Sequence, residues 1–275
     1  MKIDKNTQVC ISISSSPGNT GNTIHNYLYD LNNLNFIYKS FKVEEEKLKS
    51  VIDAVSSLGM TGCSVSMPFK KKVIDLIDDV ESSALRIESV NTVLNKDGKL
   101  LGYNTDIYGA EHCIKKVLNK IKVKRAVLFG CGATGRSAIQ ALVNCGFDKV
   151  YVFNRTKEKI KKAKKIFSNF IEIVRIDDLE KIIISKNDLL INATSLGMKK
   201  NDPLPIPRSM INSSGAVIDV VVPETKLQEL CRENKTFFLG GQEMAIVQAL
   251  KQFEIYTGKD VLNEEKIEII RELLR

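Results

Sequence analysis

The residues best suited to chemistry begin with Gly130-Cys131-Gly132-Ala133-Thr134-Gly135, which follow the apolar run AVLF and open a helical pattern. The first glycine permits a tight turn, the second lets a phosphate approach the backbone, and the third lets the helix pack closely on its strand. Amides at the start of that helix would then face an anion. At the end of the next apolar run stand Asn154, Arg155 and Thr156. A site for NAD usually presents Asp or Glu there to the ribose hydroxyls, whereas an arginine pairs with the 2′-phosphate of NADP. The pattern predicts a site for NADP(H), with Arg155 and Lys159 meeting the phosphate. The remaining lysines of this segment, Lys161, Lys162, Lys164 and Lys165, read as a solvated helix face.

A second constellation lies nearer the N-terminus, in SVSMPFK ending at Lys70, then Val90-Asn91-Thr92, then Tyr103-Asn104-Thr105-Asp106. Each places small polar or amide groups just after an apolar strand, where sheet edges form clefts. Lys70 and Asp106 brought together there would make a proton-transfer pair, the ammonium donating to a developing alkoxide and the carboxylate holding it. Their spacing alone leaves unrelated surface charges as the other reading. His25 has no second ligand nearby and is expected to be a hydrogen-bonded structural histidine, and no metal site is predicted. Cys131 is expected to be a tolerated small side chain.

These residues need a scaffold, and the chain supplies one. Short β-rich runs alternate with amphipathic stretches throughout, the pattern of βαβ units and a mostly parallel sheet, so the class is α/β. Strands are expected at Gln8 to Ser14, Phe36 to Phe41 and Gly62 to Ser66, with helices around Ile24 to Leu31 and Glu44 to Leu58. ESVNTVLNKDGKLLGYNTD breaks the rhythm and reads as a hairpin turning at Asp97-Gly98. A second βα series starts near Lys124, and the last stretch to Arg275 is helical.

Composition narrows the partners. The 275 residues allow one large domain or two smaller ones, and 43% hydrophobic with 27% charged residues is ordinary globular usage. The net charge of +8 favours a polyanionic partner, but few aromatics, at 7%, and no nucleic-acid motif argue against DNA or RNA. Six cysteines are dispersed with no C-x-x-C pair, which suits a reducing cytosol rather than a disulfide framework. The polar start MKIDKNTQVC and the lack of a long apolar run predict a cytoplasmic protein with no membrane partner.

The order of the motifs adds a further reading. SVSMPFK, ESVNTV, GYNTD, GCGATG, NRT, NATSLGM and MAIVQAL followed by YTG span nearly the whole chain, which resembles the shikimate dehydrogenase family. That resemblance implies an N-terminal α/β substrate-binding catalytic domain over residues 1–106, an inserted Rossmann-type NADP-binding domain over 107–240, and C-terminal helices over 241–275 that complete the first. It implies reversible hydride transfer between NADPH and the ring ketone of 3-dehydroshikimate, within aromatic amino-acid biosynthesis, by a monomer or homodimer. Lys70 and Asp106 match the catalytic pair, and Ser66, Asn91 and Gln248 match positions that bind the substrate's ring hydroxyls. Gly130, Gly132, Ala133, Thr134 and Gly135 match the pyrophosphate loop. Asn154, Arg155, Thr156 and Lys159 match the adenosine end of the cofactor site, Thr194, Ser195 and Met198 match its nicotinamide end, and Val220 and Gly241 match further cofactor-binding positions.

Three departures point to the divergent shikimate dehydrogenase-like class, whose members keep the fold and the Lys–Asp pair but turn over shikimate poorly. The family's Ser-x-Ser-Pro motif precedes a His-Asn pair. Here His25-Asn26 follows GNTGNT, so Thr20 and Asn22 stand at the carboxylate-binding positions. The family's Asp-x-x-Tyr-Asn-Pro becomes Asp219-Val220-Val221-Val222-Pro223, and the glycine before the methionine of the C-terminal motif becomes Glu243. A carboxylate there opposes an anionic substrate unless it is turned away or paired. Quinate is the runner-up substrate; the alternatives are a quinate/shikimate dehydrogenase with other cofactor preference and a dinucleotide-binding protein with weak catalysis.

Overall fold

The computed structural model describes residues 3–222 and 224–275; Pro223 of the altered loop and the first two residues of the polar N-terminus lie outside it. The chain divides into two compact units, one from residues 1–105 and 246–275, the other from 106–245. In the first, β1 (Gln8–Ser14), α1 (Thr20–Leu31), β2 (Phe36–Lys42), α2 (Leu48–Ser57) and β3 (Gly62–Val65) follow in turn. The short β4 (Asp79–Val80) and α3 (Ser82–Arg86) lead to the pair β5 (Thr92–Lys96) and β6 (Lys99–Tyr103).

The second unit opens with α4 (Asp106–Leu118) and continues β7 (Arg125–Phe129), α5 (Ala133–Asn144), β8 (Lys149–Phe153), α6 (Lys157–Phe167) and β9 (Glu172–Arg175). Then come β10 (Asp188–Asn192), α7 (Arg208–Ser213), β11 (Ala216–Asp219), α8 (Lys226–Glu233) and β12 (Phe237–Leu239). Helix α9 (Gly241–Thr257) carries the chain back into the first unit, which α10 (Glu264–Leu273) ends.

The first sheet runs β2-β1-β3-β5-β6-β4. β1 pairs in parallel with β2 and β3, while β3–β5 and β5–β6 are antiparallel. The β5–β6 turn falls at Asp97-Gly98, where φ is +54° and +87°. Two consecutive positive φ values make the type of two-residue turn whose twist suits a hairpin, and Asp-Gly tolerates both. Alternation sorts the side chains of β1: Cys10 faces a cluster that includes Ile24, Leu28 and Tyr29 of α1 and Leu250 and Phe253 of α9, while Ile11 and Ile13 face one that includes Ile52 and Val55 of α2. Each such fully buried side chain contributes about 1.5–3 kcal/mol, so the C-terminal helices are a structural layer of this unit.

The second sheet is wholly parallel, in the order β12-β11-β10-β7-β8-β9. Every residue of β10 is buried, as in a sheet covered on both faces. The strand order reverses between β7 and β10, and in such doubly wound sheets ligands bind beyond the carboxyl ends of the strands at that point.

Candidate active site

In the second unit, the glycine loop leaves β7 at this reversal. Gly130 has φ +98°, and a Cβ there would stand 2.8 Å from the Ala193 backbone. A Cβ on Gly135 would stand 2.3 Å from the Gly130 carbonyl, so helix and turn touch backbone to backbone. A Cβ on Gly132 would meet nothing within 4 Å beyond its own stretch of chain. Gly132 is also the N-cap of α5, and no side chain caps it. The first helical amides, at Ala133 and Thr134, thus lie at the positive end of the helix dipole beside that open position, a cradle that fits a pyrophosphate.

The loop is held by Asn154, whose Oδ1 accepts from the Cys131 amide at 2.9 Å and whose Nδ2 donates to the Thr156 carbonyl at 2.7 Å. Both ends of that amide are thus committed to backbone, a positioning task that spacing could not reveal. Arg155, Thr156 and Lys159 are exposed beside it, at the end of β8 and the start of α6. Cys131 is fully buried, and that burial pushes its thiol up to about 11.

The NATSLGM loop follows β10. Asn192 Oδ1 accepts from the Thr194 hydroxyl at 2.7 Å and its amide at 3.0 Å, while Asn192 Nδ2 donates to Asp219 at 2.8 Å. Asp219, buried at the end of β11, also accepts from the Thr225 hydroxyl at 2.9 Å and the Val221 amide at 3.1 Å. Burial raises its pKa, and these hydrogen bonds oppose the rise. Ser195 and Met198 are exposed on the loop, and the Val220 amide donates to the Asn192 carbonyl. Gly241 opens α9 so close to the segment after β11 that a Cβ would stand 2.5 Å from the carbonyls of Val220 and Val221.

The first unit gathers a polar cluster at the carboxyl end of its sheet. Asn91, buried before β5, donates from Nδ2 to Thr105 Oγ1 at 3.0 Å and to Gln248 Oε1 at 3.2 Å. Its Oδ1 accepts from the Thr105 amide and the Thr92 hydroxyl, each at 2.8 Å. Behind it, Gln252 donates to Thr92 Oγ1 at 3.0 Å and accepts from Ser64 at 3.1 Å. His25 reaches the same Gln252 oxygen at 3.4 Å and stacks on Tyr38 at 4.3 Å, the hydrogen-bonded structural histidine that its setting predicted.

Ser66 is exposed just after β3, and Lys70 is half-buried with its carbonyl receiving the Val90 amide at 2.8 Å. Asp106, buried, is the first residue of α4, where a carboxylate is favoured by the helix dipole. Thr20 starts α1, exposed. Asn22 differs: its Oδ1 accepts from the Ser40 amide at 2.9 Å and its Nδ2 donates to Asn19 at 3.0 Å, so it ties α1 to edge strand β2. Asn26 continues that tie through the backbone of Tyr38.

Glu243 is the group whose partners could not be read from sequence. It is buried on α9 and accepts from Lys116 Nζ at 2.8 Å and His112 Nε2 at 3.1 Å, both on α4. The helices meet closely there, since a Cβ on Gly109 would stand 2.6 Å from the Met244 carbonyl. The carboxylate is paired. Among the described residues no cluster of His, Cys, Asp or Glu is arranged to hold a metal, and no helix is long and apolar enough to cross a membrane.

Comparison with known proteins gives two family models: a shikimate dehydrogenase substrate-binding domain over residues 10–93 and a shikimate/quinate 5-dehydrogenase domain over 112–234. A shikimate dehydrogenase-like protein of Haemophilus influenzae is 36% identical over 261 residues, covering 93% of this chain and 92% of its own. A crystal structure of shikimate dehydrogenase from Aquifex aeolicus superposes with a TM-score of 0.89 at 31% identity, covering all of both chains. Another shikimate dehydrogenase, solved in complex with NADP+, gives 0.86 at 27% identity over 99% of this chain and 96% of its own. The ordered motifs, the doubly wound sheet with its glycine cradle and these matches together show that the chain belongs to the shikimate dehydrogenase family.

Proposed function

We propose that this chain catalyses reversible, NADP(H)-dependent reduction of the ring ketone of 3-dehydroshikimate or a closely related hydroxylated cyclic carboxylate. The observation that carries the reading is the open cradle above Gly132, with Arg155 at the end of the neighbouring strand, in a chain of this family. Bound NADPH supplies the hydride. The amides of Gly132, Ala133 and Thr134 receive the pyrophosphate, with Gly130 and Gly135 shaping the turn. Arg155 and Lys159 take the 2′-phosphate, which a basic fork holds better than a neutral side chain. Thr156, Ser195, Met198, Val220 and Gly241 border the cofactor, with Asn154 and Thr194 holding its loops.

In this reading residues 1–106, completed by 241–275, form the substrate domain and 107–240 the NADP domain. Lys70 donates the proton that the developing alkoxide requires, and Asp106 holds the ammonium in position. Asn91, Ser66 and Gln248 orient the ring hydroxyls; the buried Asn91 is fixed by Thr105 and is therefore preorganised. Thr20 receives the substrate carboxylate. Because the Asn22 amide is tied to Ser40, this end of the site is built differently from a two-serine clamp, and that favours an analogue such as quinate as the second reading.

The test follows NADPH absorbance with shikimate and quinate, each with NADP+ and NAD+. Turnover of either establishes the oxidoreductase; NADPH binding with no turnover of any cyclic hydroxy acid leaves a dinucleotide-binding protein. Lys70→Ala should lower kcat by about a hundredfold or more while NADPH affinity stays unchanged. An undiminished kcat would remove Lys70 from the proton step.

A further inference from the structure

The first unit contains a second concavity that none of the proposed chemistry uses. Its floor is one face of the two outer strands, where register pairs Val9 with Ile37, Ile11 with Lys39 and Ile13 with Phe41. Its far wall is Val51 and Ala54 of α2. Helix α2 leaves part of this face open, and the half-open cavity measures about 630 Å³, within the range of small-molecule sites.

The charged groups that line it share one sign. Lys39, Lys42 and Lys47 line it, and none has an ion-pair partner among the described residues. Of the acidic residues next to Lys47, Glu45 is turned to Lys72, and neither Glu44 nor Glu46 lines the trough or pairs with one of the three lysines. An apolar trough with three unpaired ammonium groups at its mouth calls for a ligand with an apolar body and an anionic head. A second copy of this chain is a poor occupant, because a two-fold contact sets a patch against itself and would face these lysines with their own equivalents. We propose that this groove binds an amphipathic monoanion, an acyl or aryl carboxylate, at a site separate from the glycine cradle and the Asn91 cluster.

Isothermal titration of the full chain with decanoate, and with decanol as the uncharged match, tests this. Saturable one-to-one binding of decanoate, about tenfold tighter than decanol, is the expected result. Ala54→Trp, which fills the trough, should abolish it. The triple variant Lys39→Gln, Lys42→Gln, Lys47→Gln, confined to exposed side chains, should weaken decanoate about tenfold and leave decanol unchanged. Thermal melting and NADPH binding check that each variant is folded, and if Ala54→Trp does not fold, the lysine variant decides alone. Equal affinity for decanoate and decanol, or decanoate binding indifferent to the lysine variant, overturns the proposal. So does dimerisation that Ala54→Trp prevents, which assigns the groove to a second copy. Sedimentation with anionic vesicles without uptake of free decanoate also overturns it, assigning the lysines to a membrane surface.

Discussion

Acidification from 6.5 down to about 4 should destabilise this chain through one buried side chain, His25. Its ring is wholly buried, stacked on Tyr38, and only Nε2 has a partner, the Gln252 oxygen. That oxygen accepts, so Nε2 carries the proton and Nδ1 is a bare acceptor with no hydrogen bond. Protonating Nδ1 would bury a cation without a counter-charge. Burial accordingly holds the folded pKa at about 4 against an ordinary 6.5, with the Gln252 hydrogen bond opposing. Between those values the unfolded chain binds a proton that the folded chain does not. Stability is therefore complete above 6.5, falls as pH drops through the window and levels near its lower end. At about 1.4 kcal/mol per tenfold change in proton affinity, the loss is about 3 kcal/mol, a large part of a typical 5–15 kcal/mol. Urea unfolding across this window, for the natural chain and His25→Phe, isolates the effect, because all other groups titrate in both. Phenylalanine keeps the stacking and cannot be protonated. Two stability curves that stay parallel through the window would refute the argument.

Gly132→Ala should fold normally, since its Cβ enters open space, yet weaken NADPH binding measured by fluorescence titration; Gly130→Ala, with positive φ and a contact at 2.8 Å, should lower the melting temperature as well. Arg155→Asp should move the kcat/KM ratio from NADP+ toward NAD+ by about tenfold or more, read in parallel assays with the two cofactors. Glu243→Gln should cost about 2 kcal/mol in urea unfolding, less than a fully buried pair because Lys116 is 29% exposed, and much of that loss should vanish when Lys116→Met is already present.

Local features were legible because the signal and the structure occupy the same few residues. The Asp97-Gly98 hairpin, the glycine turn after β7 and the strand Gln8–Ser14 each depend on nearby sequence, and all are present. α1 begins earlier than its apolar pattern, at Thr20, because Asn22 and Asn26 fasten its first turns to β2 rather than to the core. Long-range pairs were not legible. Asn91 and Gln248 are separated by 157 positions, and only the path of the chain out of the first unit and back brings them together, while Glu243 and His112, 131 positions apart, meet where the last helix of the chain's second unit returns to that unit's first helix. A motif shows which residue types are present; it does not show which atoms of those residues are already engaged.

That distinction changes what substitutions in this site can report. Asn22, Asn154 and Thr194 match ligand-binding positions, yet their polar atoms hold the Ser40 backbone, the Cys131 amide and the Asn192 carboxamide. Removing any of them leaves buried or loop-forming backbone groups unpaired, so the loss appears in stability together with KM. Thr20, by contrast, has an exposed hydroxyl with no hydrogen-bond partner among the described residues, and Arg155 is an exposed cation beside the cradle. On the proposed function, a change at Thr20 or Arg155 therefore reports on ligand selection with little contribution from folding. On the proposed function, substrate preference is accordingly sought first at Thr20, where a serine in its place tests reach without disturbing α1, and not at Asn22, whose replacement would loosen the edge strand.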